Sequence, residues 1–174
     1  MNMLFLCTGN SARSILGEAL ATTLSSGRLC GYSAGSHPGG LVNPFALELC
    51  LTLGYPQNLL RSKSWDEFAA PGAPVMDIIV TVCDSAAGEV CPIWPGRPAT
   101  AHWGVPDPAA VQGSDETKRA AFRAIHDAMK TRLLLLLDLP FETLPAGERR
   151  AALTRIGDTA VLTPAQVALF AERR

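Results

Sequence analysis

The segment VMDIIVTVC, residues 75–83, is a near-continuous apolar run that is rich in β-branched residues. Such a run is typical of a strand that is covered on both faces, as in a parallel sheet lying between helices. Apolar spacing elsewhere predicts two further strands and three helices. The strands are expected at residues 3–6 and 29–35, and the helices at 13–26, 44–53 and 122–136.

Strands that alternate with helices favour an α/β fold. We expect a three-layer, doubly wound sheet that is mostly parallel, because parallel neighbours need crossover connections. In such sheets, ligands bind beyond the carboxyl ends of the strands. Cys7 and Cys83 each stand at the carboxyl end of a predicted strand. We therefore expect these two thiols, distant along the chain, to face one crevice.

The length and charge of the chain limit its organisation and its partners. With 174 residues, of which 48% are hydrophobic, we expect one domain at 1–140 and a partly helical C-terminal extension at 141–174. The 15 basic and 16 acidic residues give no electrostatic footprint for nucleic acid or for an anionic membrane surface. Any anion that the protein binds must be held locally.

The N-terminus and the cysteines indicate a cytoplasmic protein. The stretch MNMLFLCTGN has no basic start and becomes polar by Thr8, unlike a secretory signal, and no apolar run is long enough to span a membrane. The five cysteines are irregularly spaced, so we expect reduced thiols rather than structural disulfides. Cys83 and Cys91 lack the close paired spacing of zinc sites. Cys30 and Cys50 are predicted to behave as small hydrophobes.

The segment CTGNSARS, residues 7–14, joins the first predicted strand to the first predicted helix. A loop at this position presents unpaired backbone N–H groups and the positive end of the helix dipole, which together favour a bound anion. Arg13 adds paired donors for a tetrahedral oxyanion, and the same field is expected to lower the pKa of the Cys7 thiol. Ser14 is placed to donate a hydrogen bond to that sulfur. The predicted oxyanion-binding residues are Thr8, Gly9, Asn10, Ser11, Ala12 and Arg13.

The sequence CTGNSARS resembles the N-terminal phosphate-binding loop of low-molecular-weight protein tyrosine phosphatases and of the arsenate reductases that share their fold. The resemblance covers residues 3–138 and includes YSAGS at 32–36 and VNPFAL at 42–47. It implies a low-molecular-weight phosphatase-like fold in which the loop cysteine, Cys7, is the nucleophile.

Two further segments distinguish between the branches of this family. TVCDSAAGEVCP at 81–92 and HWGVPDPA at 102–109 look like the three-cysteine arsenate reductases. In the phosphatases, tyrosines usually follow the Asp-Pro pair, whereas Ala109 and Ala110 follow it here. Reduction of arsenate to arsenite takes two electrons, which a pair of thiols supplies by forming a disulfide. The sequence thus favours a reductase over a hydrolase.

The resemblance implies a cascade of thiols and disulfides. Cys7 would attack arsenate to form a covalent arseno-cysteine, while Asp107 acts as general acid in the release of water. Cys83 would then attack Cys7 and expel arsenite, and Cys91 would resolve the Cys7–Cys83 disulfide into Cys83–Cys91. An external reductant, either thioredoxin or glutaredoxin with glutathione, would restore the thiols. No tightly bound cofactor is expected.

Some reductases of this family bind potassium near the loop through an Asn, a Glu, a Ser and an Asp. Asn10, Glu18 and Ser33 match the first three ligands by position. Ser64 stands where the aspartate is expected, and Lys63 is beside it. The resemblance therefore implies an incomplete potassium site.

Two alternatives remain open from the sequence. Cys7, Arg13 and Asp107 alone would suffice for a phosphatase that acts on phosphotyrosine or on a small phosphoester. A non-catalytic module that binds phosphate or arsenate would need only the loop. His102 and Trp103, in the segment before Asp107, are assigned packing and loop-orienting roles.

Overall fold

A four-stranded parallel sheet forms the centre of the protein, in a computed structural model that describes residues 1–88 and 92–171. Its strands follow the order β2-β1-β3-β4, and each neighbouring pair is parallel. This arrangement confirms the predicted α/β fold with a doubly wound, parallel sheet. The strands are β1 (Asn2–Cys7), β2 (Cys30–Gly35), β3 (Ile78–Thr81) and β4 (Ala99–His102).

Helices connect the strands and continue beyond the last one. Local sequence sets two of their starts: the Asn43 side chain accepts the N–H of Phe45 at 3.0 Å, and the Ser114 hydroxyl accepts the N–H of Thr117 at 3.2 Å. The helices are α1 (Arg13–Leu24), α2 (Pro44–Thr52), α3 (Asp66–Ala69), α4 (Asp84–Ala87), α5 (Asp115–Leu137), α6 (Ala146–Asp158) and α7 (Pro164–Ala168). Short 3-10 turns lie at Gln57–Leu59, Pro108–Ala110 and Phe141–Thr143.

The two faces of the sheet are covered by different parts of the chain. Alternate residues of a strand point to opposite faces. Met3 and Phe5 of β1 belong to a larger core with α1, α2, α5 and α6, whereas Leu4 and Leu6 belong to a smaller core with Phe68 of α3. Because both faces are buried at the centre of the sheet, β1 and β3 read as nearly continuous apolar runs and not as alternating ones.

The structure differs from the sequence prediction between β3 and the proline-rich segment that follows it. β3 covers only Ile78–Thr81 of the run predicted at 75–83. β4 is absent from the sequence prediction, which expects a long loop there. The strand escapes prediction because it is a short edge strand of half-buried and exposed residues, with little apolar signal. Its pairing places His102 opposite Thr81, at the carboxyl edge of the sheet.

Residues 141–171 fold onto the sheet and do not stand apart from it. Helix α6 packs beside β4, where the indole Nε1 of Trp103 donates to the carbonyl oxygen of Leu153 at 2.9 Å. Leu153 and Ile156 belong to the larger core. The part of the expected extension that the structure describes thus contributes to the core of the preceding domain.

The end of α6 is fixed to the segment that follows β4. The buried Arg132 of α5 links the two, since its Nη1 donates to the carbonyl oxygen of Gly104 at 3.2 Å and its Nη2 to that of Gly157 at 2.8 Å. Gly157 also lies close to His102, the last residue of β4, and only glycine fits there, since a Cβ at position 157 would clash with the backbone oxygen of His102.

Within residues 1–88 and 92–171, no helix is both long enough and apolar enough to cross a membrane.

Candidate active site

The loop between β1 and α1, residues 8–12, is bonded to a neighbouring segment through its carbonyl groups. The carbonyl oxygens of Thr8, Gly9 and Ser11 accept backbone hydrogen bonds of 3.0, 3.0 and 2.8 Å from the segment 37–43. Carbonyls held in this way leave the amide groups free to converge, and such a nest of N–H groups favours an anion. Among the described residues, no hydrogen-bond acceptor is found for the amides of Thr8, Gly9, Ser11 and Ala12.

The Cys7 thiol lies at the end of β1, beneath this loop, and the residue is only 4% exposed. Its Sγ is 2.9 Å from Oγ of Ser14 and accepts the N–H of Asn10 at 3.2 Å. Nδ2 of Asn10 donates to the same Ser14 oxygen at 2.9 Å, so the hydroxyl proton of Ser14 is free to point at the sulfur. Asn10 adopts the left-handed conformation, with φ of 43°, that this contact requires.

Burial raises the pKa of the Cys7 thiol above its ordinary value, and the nearby Cys83 raises it further. The hydrogen bonds from the Ser14 side chain and the Asn10 N–H lower this pKa, but by less than burial raises it. The prediction of a lowered pKa is therefore wrong. The donors of the loop offset only part of the cost of removing a thiolate from water.

Replacing Ser14 with alanine is expected to raise the pKa of Cys7 by about one unit, because a hydrogen bond of roughly 1.4 kcal/mol to the thiolate corresponds to one unit. The measurement is the pH profile of alkylation by iodoacetamide, with each thiol mapped by mass spectrometry. The exposed Cys30 serves as internal control, and its profile should not move. A Cys7 profile that stays in place or moves to lower pH would contradict the role of Ser14.

Arg13 and Asp107 face each other across the loop. Nη2 of Arg13 lies 3.4 Å from Oδ2 of Asp107, and its Nη1 donates to the carbonyl oxygen of Val105 at 3.2 Å. The other carboxylate oxygen of Asp107 accepts the N–H of Ala109 at 3.1 Å and caps the short turn that follows. The side chains of the ion pair are 16% and 37% exposed, so an oxyanion in the loop can reach both groups.

Cys83 lies at the same edge of the sheet as Cys7. Its Sγ is 3.7 Å from Oγ1 of Thr8, the residue that follows Cys7, and the residue is 3% exposed. The same sulfur caps α4 by accepting the N–H of Ala86 at 3.4 Å. Two of the three thiols that the sequence selects thus lie near each other at the carboxyl edge of the sheet. Cys91 lies outside the described residues.

His102 connects the end of β3 to the helix that follows Cys83. Its Nδ1 is 2.8 Å from Oγ1 of Thr81, and its Nε2 is 3.2 Å from Oδ1 of Asp84, the first residue of α4. Trp103 is 1% exposed and belongs to the larger core. Both positions suit the packing and orienting roles assigned to these residues.

Cys30 and Cys50 have environments that differ from each other. Cys50 is fully buried in α2, and this burial, with the charge of Glu18, raises its pKa to about 12, so its thiolate is scarcely populated. Cys30, the first residue of β2, is exposed. The prediction that Cys30 behaves as a small hydrophobe is wrong, because it stands at the open start of an edge strand.

A lysine occupies the position at which the resemblance implies potassium. Nζ of Lys63 lies 2.9 Å from Oε2 of Glu18 and donates to Oγ of Ser33 at 3.2 Å. The paired side chains are 6% and 5% exposed. The remaining oxygen of Glu18 accepts the hydroxyl of Tyr55 at 2.8 Å. Because an ammonium group already satisfies the oxygens of Glu18 and Ser33, these residues do not fit a potassium ion as well.

Lys63 also contacts the loop through its backbone. Its N–H donates to Oδ1 of Asn10 at 2.7 Å, and Asn10 in turn contacts Ser14, which contacts Cys7. Asn10 therefore links Lys63 to the loop, and its side chain is engaged in orienting that loop. Sequence reasoning places Lys63 beside a missing ligand but does not find its role. The sequence feature that could have revealed the role of Lys63 is Glu18. It is a carboxylate on the buried side of α1, and a buried charge needs a partner.

Residues 2–146 match the model of the family described as low molecular weight phosphotyrosine protein phosphatase. The chain belongs to this family. Among the curated relatives of this phosphatase-family chain, an arsenate reductase from Halalkalibacterium halodurans is 37% identical over 129 residues, which cover 74% of this chain and 89% of that protein.

Solved structures share the fold of this family member. An arsenate reductase from Archaeoglobus fulgidus matches with a TM-score of 0.56 and 26% identity, covering 79% of this chain and 99% of that one. A thioredoxin-dependent arsenate reductase from Corynebacterium glutamicum matches with a TM-score of 0.55 and 24% identity, covering 78% of this chain and 59% of that one. The second match, below 25% identity, bears on the fold alone.

Beside the loop, this phosphatase-family chain has a cavity of about 670 Å³, and Arg13, Cys83 and Asp107 are among the residues that line it. Sequence reasoning missed another part of the lining. The extension reaches the site through tertiary packing, including that of α6 against β4 and α5, and no local sequence pattern indicates such packing. The residues that the extension contributes to the lining are Gly157, Asp158 and Phe170.

Proposed function

We propose that this chain is an arsenate reductase that uses Cys7, Cys83 and Cys91 as its redox thiols. The observation that carries the proposal is the position of Cys7 and Cys83 at one edge of the sheet, beside a loop with unpaired amides. A phosphatase needs only the first of these thiols, whereas a two-electron reduction uses a pair. The 37% identity to a curated arsenate reductase supports the same chemistry.

The first step forms a bond between sulfur and arsenic. Arsenate binds with its oxygens facing the loop amides and the guanidinium of Arg13. The Cys7 thiol gives its proton to an oxygen of the arsenate dianion as its sulfur attacks arsenic, which fits the raised pKa of this thiol. An arsenic–oxygen bond breaks, and Asp107, acting in its protonated form, becomes a carboxylate as it supplies the proton with which that oxygen leaves as water. Arsenic remains in the +5 state.

The second step is the reduction. The sulfur of Cys83 attacks the sulfur of Cys7, so that a disulfide forms and the sulfur–arsenic bond breaks. The electron pair of the broken bond stays on arsenic, which passes from +5 to +3 and leaves as arsenite with protons from the thiol and from water. The adjacency of Cys83 to Thr8 supports this attack, since it places Cys83 next to the loop.

The last steps return the thiols to their starting state. Cys91 attacks Cys83, releases Cys7 and forms the Cys83–Cys91 disulfide, which an external dithiol then reduces with two electrons. Thioredoxin and glutaredoxin with glutathione are both suitable by chemistry. A cascade that consumes reduced thiols fits the cytoplasm. Lys63 supplies the buried positive charge beside the loop, so we propose that no potassium is required.

A phosphatase is the second candidate, and the ion pair of Arg13 with Asp107 favours it. These two groups with Cys7 would bind a phosphoester, accept its phosphoryl group and protonate its leaving oxygen. The family match is also to a phosphatase model. This candidate leaves the position of Cys83 without a role.

Disulfide mapping after a single arsenate turnover tests the proposal. The reduced protein is mixed with arsenate without any other reductant, trapped with an alkylating agent and digested. We expect one arsenite per chain and a Cys83–Cys91 disulfide, with phosphate in place of arsenate giving neither. Hydrolysis of a phosphoester with every thiol still reduced would establish the phosphatase, and anion binding without any turnover would establish the non-catalytic module.

A further inference from the structure

The C-terminal extension forms one wall of the active-site cavity, although the family model ends at residue 146. Gly157, Asp158 and Phe170 line this cavity together with Arg13 and Asp107. The matched part of the chain therefore accounts for the catalytic groups, but not for the full shape of the space above them. The wall lies outside the part of the chain that the family model matches.

The wall is anchored to the rest of the protein. The carbonyl of Gly157 is held by Arg132, and Phe170 packs partly buried against the larger core. Backbone hydrogen bonds from Phe170 to Val167 at 3.0 Å and from Ala171 to Ala168 at 3.2 Å continue the turn of α7. Fixed in this way, the ring of Phe170 limits what can enter the cavity, since packed side chains do not move aside without cost.

The position of Asp107 decides where a bulky substrate would have to lie. In phosphoester hydrolysis this residue protonates the oxygen that carries the organic group. The organic group must therefore extend from the loop into the cavity that Asp107 shares with Phe170. Free arsenate, which loses only water at the same position, needs none of that space.

The charges that line the cavity also disfavour a large phosphorylated substrate. The carboxylates of Asp84 and Asp158 line it in addition to that of Asp107, with Arg13 held in an ion pair. The phosphorylated side chain of a protein would bring its own backbone, and often further negative charge, to this rim. Unfavourable contacts with unwanted substrates are an effective means of specificity.

We propose that the extension, with Phe170 as its main contact, is a specificity element that excludes phosphorylated protein side chains and admits free oxyanions. This inference rests on the proposed reductase function and deepens it. The extension restricts the shared catalytic groups to small inorganic substrates. Phe170 acts through the shape of the cavity and takes no part in the chemistry.

The test compares two substrates in the full-length chain. Phe170→Ala is expected to raise kcat/KM for a phosphotyrosine peptide by about tenfold, while KM for arsenate stays within about twofold. Phe170→Leu, which keeps apolar bulk, is expected to stay closer to the wild type. Val167→Ala is the matched control, because Val167 lies on α7 but is 52% exposed and does not line the cavity.

The outcomes separate this inference from the proposed function. Thermal unfolding first establishes that each variant is folded. Peptide hydrolysis that is unchanged or reduced in Phe170→Ala, or a KM for arsenate that moves as much as the peptide value, would overturn the specificity role. Failure of the wild-type chain to produce arsenite would instead overturn the reductase proposal, whatever the variants do.

Discussion

Replacement of Cys83 by serine is expected to stop arsenate reduction, lowering the rate of arsenite release by at least about a thousandfold. A hydroxyl cannot form a disulfide with the sulfur of Cys7, so the electron pair cannot be left on arsenic. The fold should survive, because a serine hydroxyl can also accept the N–H of Ala86 that Cys83 now accepts. The measurement is arsenite release with a thioredoxin system as reductant.

Binding of the oxyanion is expected to persist in this variant. Arsenate should still protect Cys7 from alkylation, since the loop amides and Arg13 are unchanged. Cys30→Ser is the matched control, because Cys30 is an exposed thiol on β2. We expect it to reduce arsenate at the wild-type rate. Arsenite release by Cys83→Ser at a rate close to that of the wild type would remove Cys83 from the reaction.

The loop could be predicted from the sequence because its determinants are local. A strand that ends at Cys7 and a helix that begins at Arg13 fix the position of the residues between them. The raised pKa of Cys7 could not be predicted in the same way. It follows from the burial of the thiol among parts of the chain that are distant in sequence, and this burial outweighs the local hydrogen bonds.

The wall of the cavity and the buried lysine escaped prediction for the same reason. Gly157 and Asp158 reach the site because α6 packs on β4, a strand too short to leave an apolar pattern. Lys63 meets Glu18 from 45 positions away. In both cases the residue types are ordinary surface or tail residues, and only the tertiary fold brings them to the site.

Replacing Lys63 with methionine is expected to lower the free energy of unfolding by about 3–5 kcal/mol, because it leaves the Glu18 carboxylate buried without its partner. Methionine keeps most of the length of the side chain, so the change removes charge more than volume. The measurement is equilibrium unfolding in urea. Arg61→Met is the matched control: its ion pair with Glu67 is exposed at 56% and 43%, so we expect a loss within about 1 kcal/mol.

A double variant and a change of salt separate charge from packing. Glu18→Gln together with Lys63→Met removes both charges, and we expect it to recover part of the lost stability, since a buried pair can be replaced by neutral groups at little cost. Potassium chloride and sodium chloride at equal concentration should stabilise the wild-type protein equally, because the ammonium of Lys63 already serves Glu18 and Ser33. A ligand that binds only the folded state raises its stability, so a potassium-specific gain in the wild type would show that this pocket binds the ion in spite of Lys63.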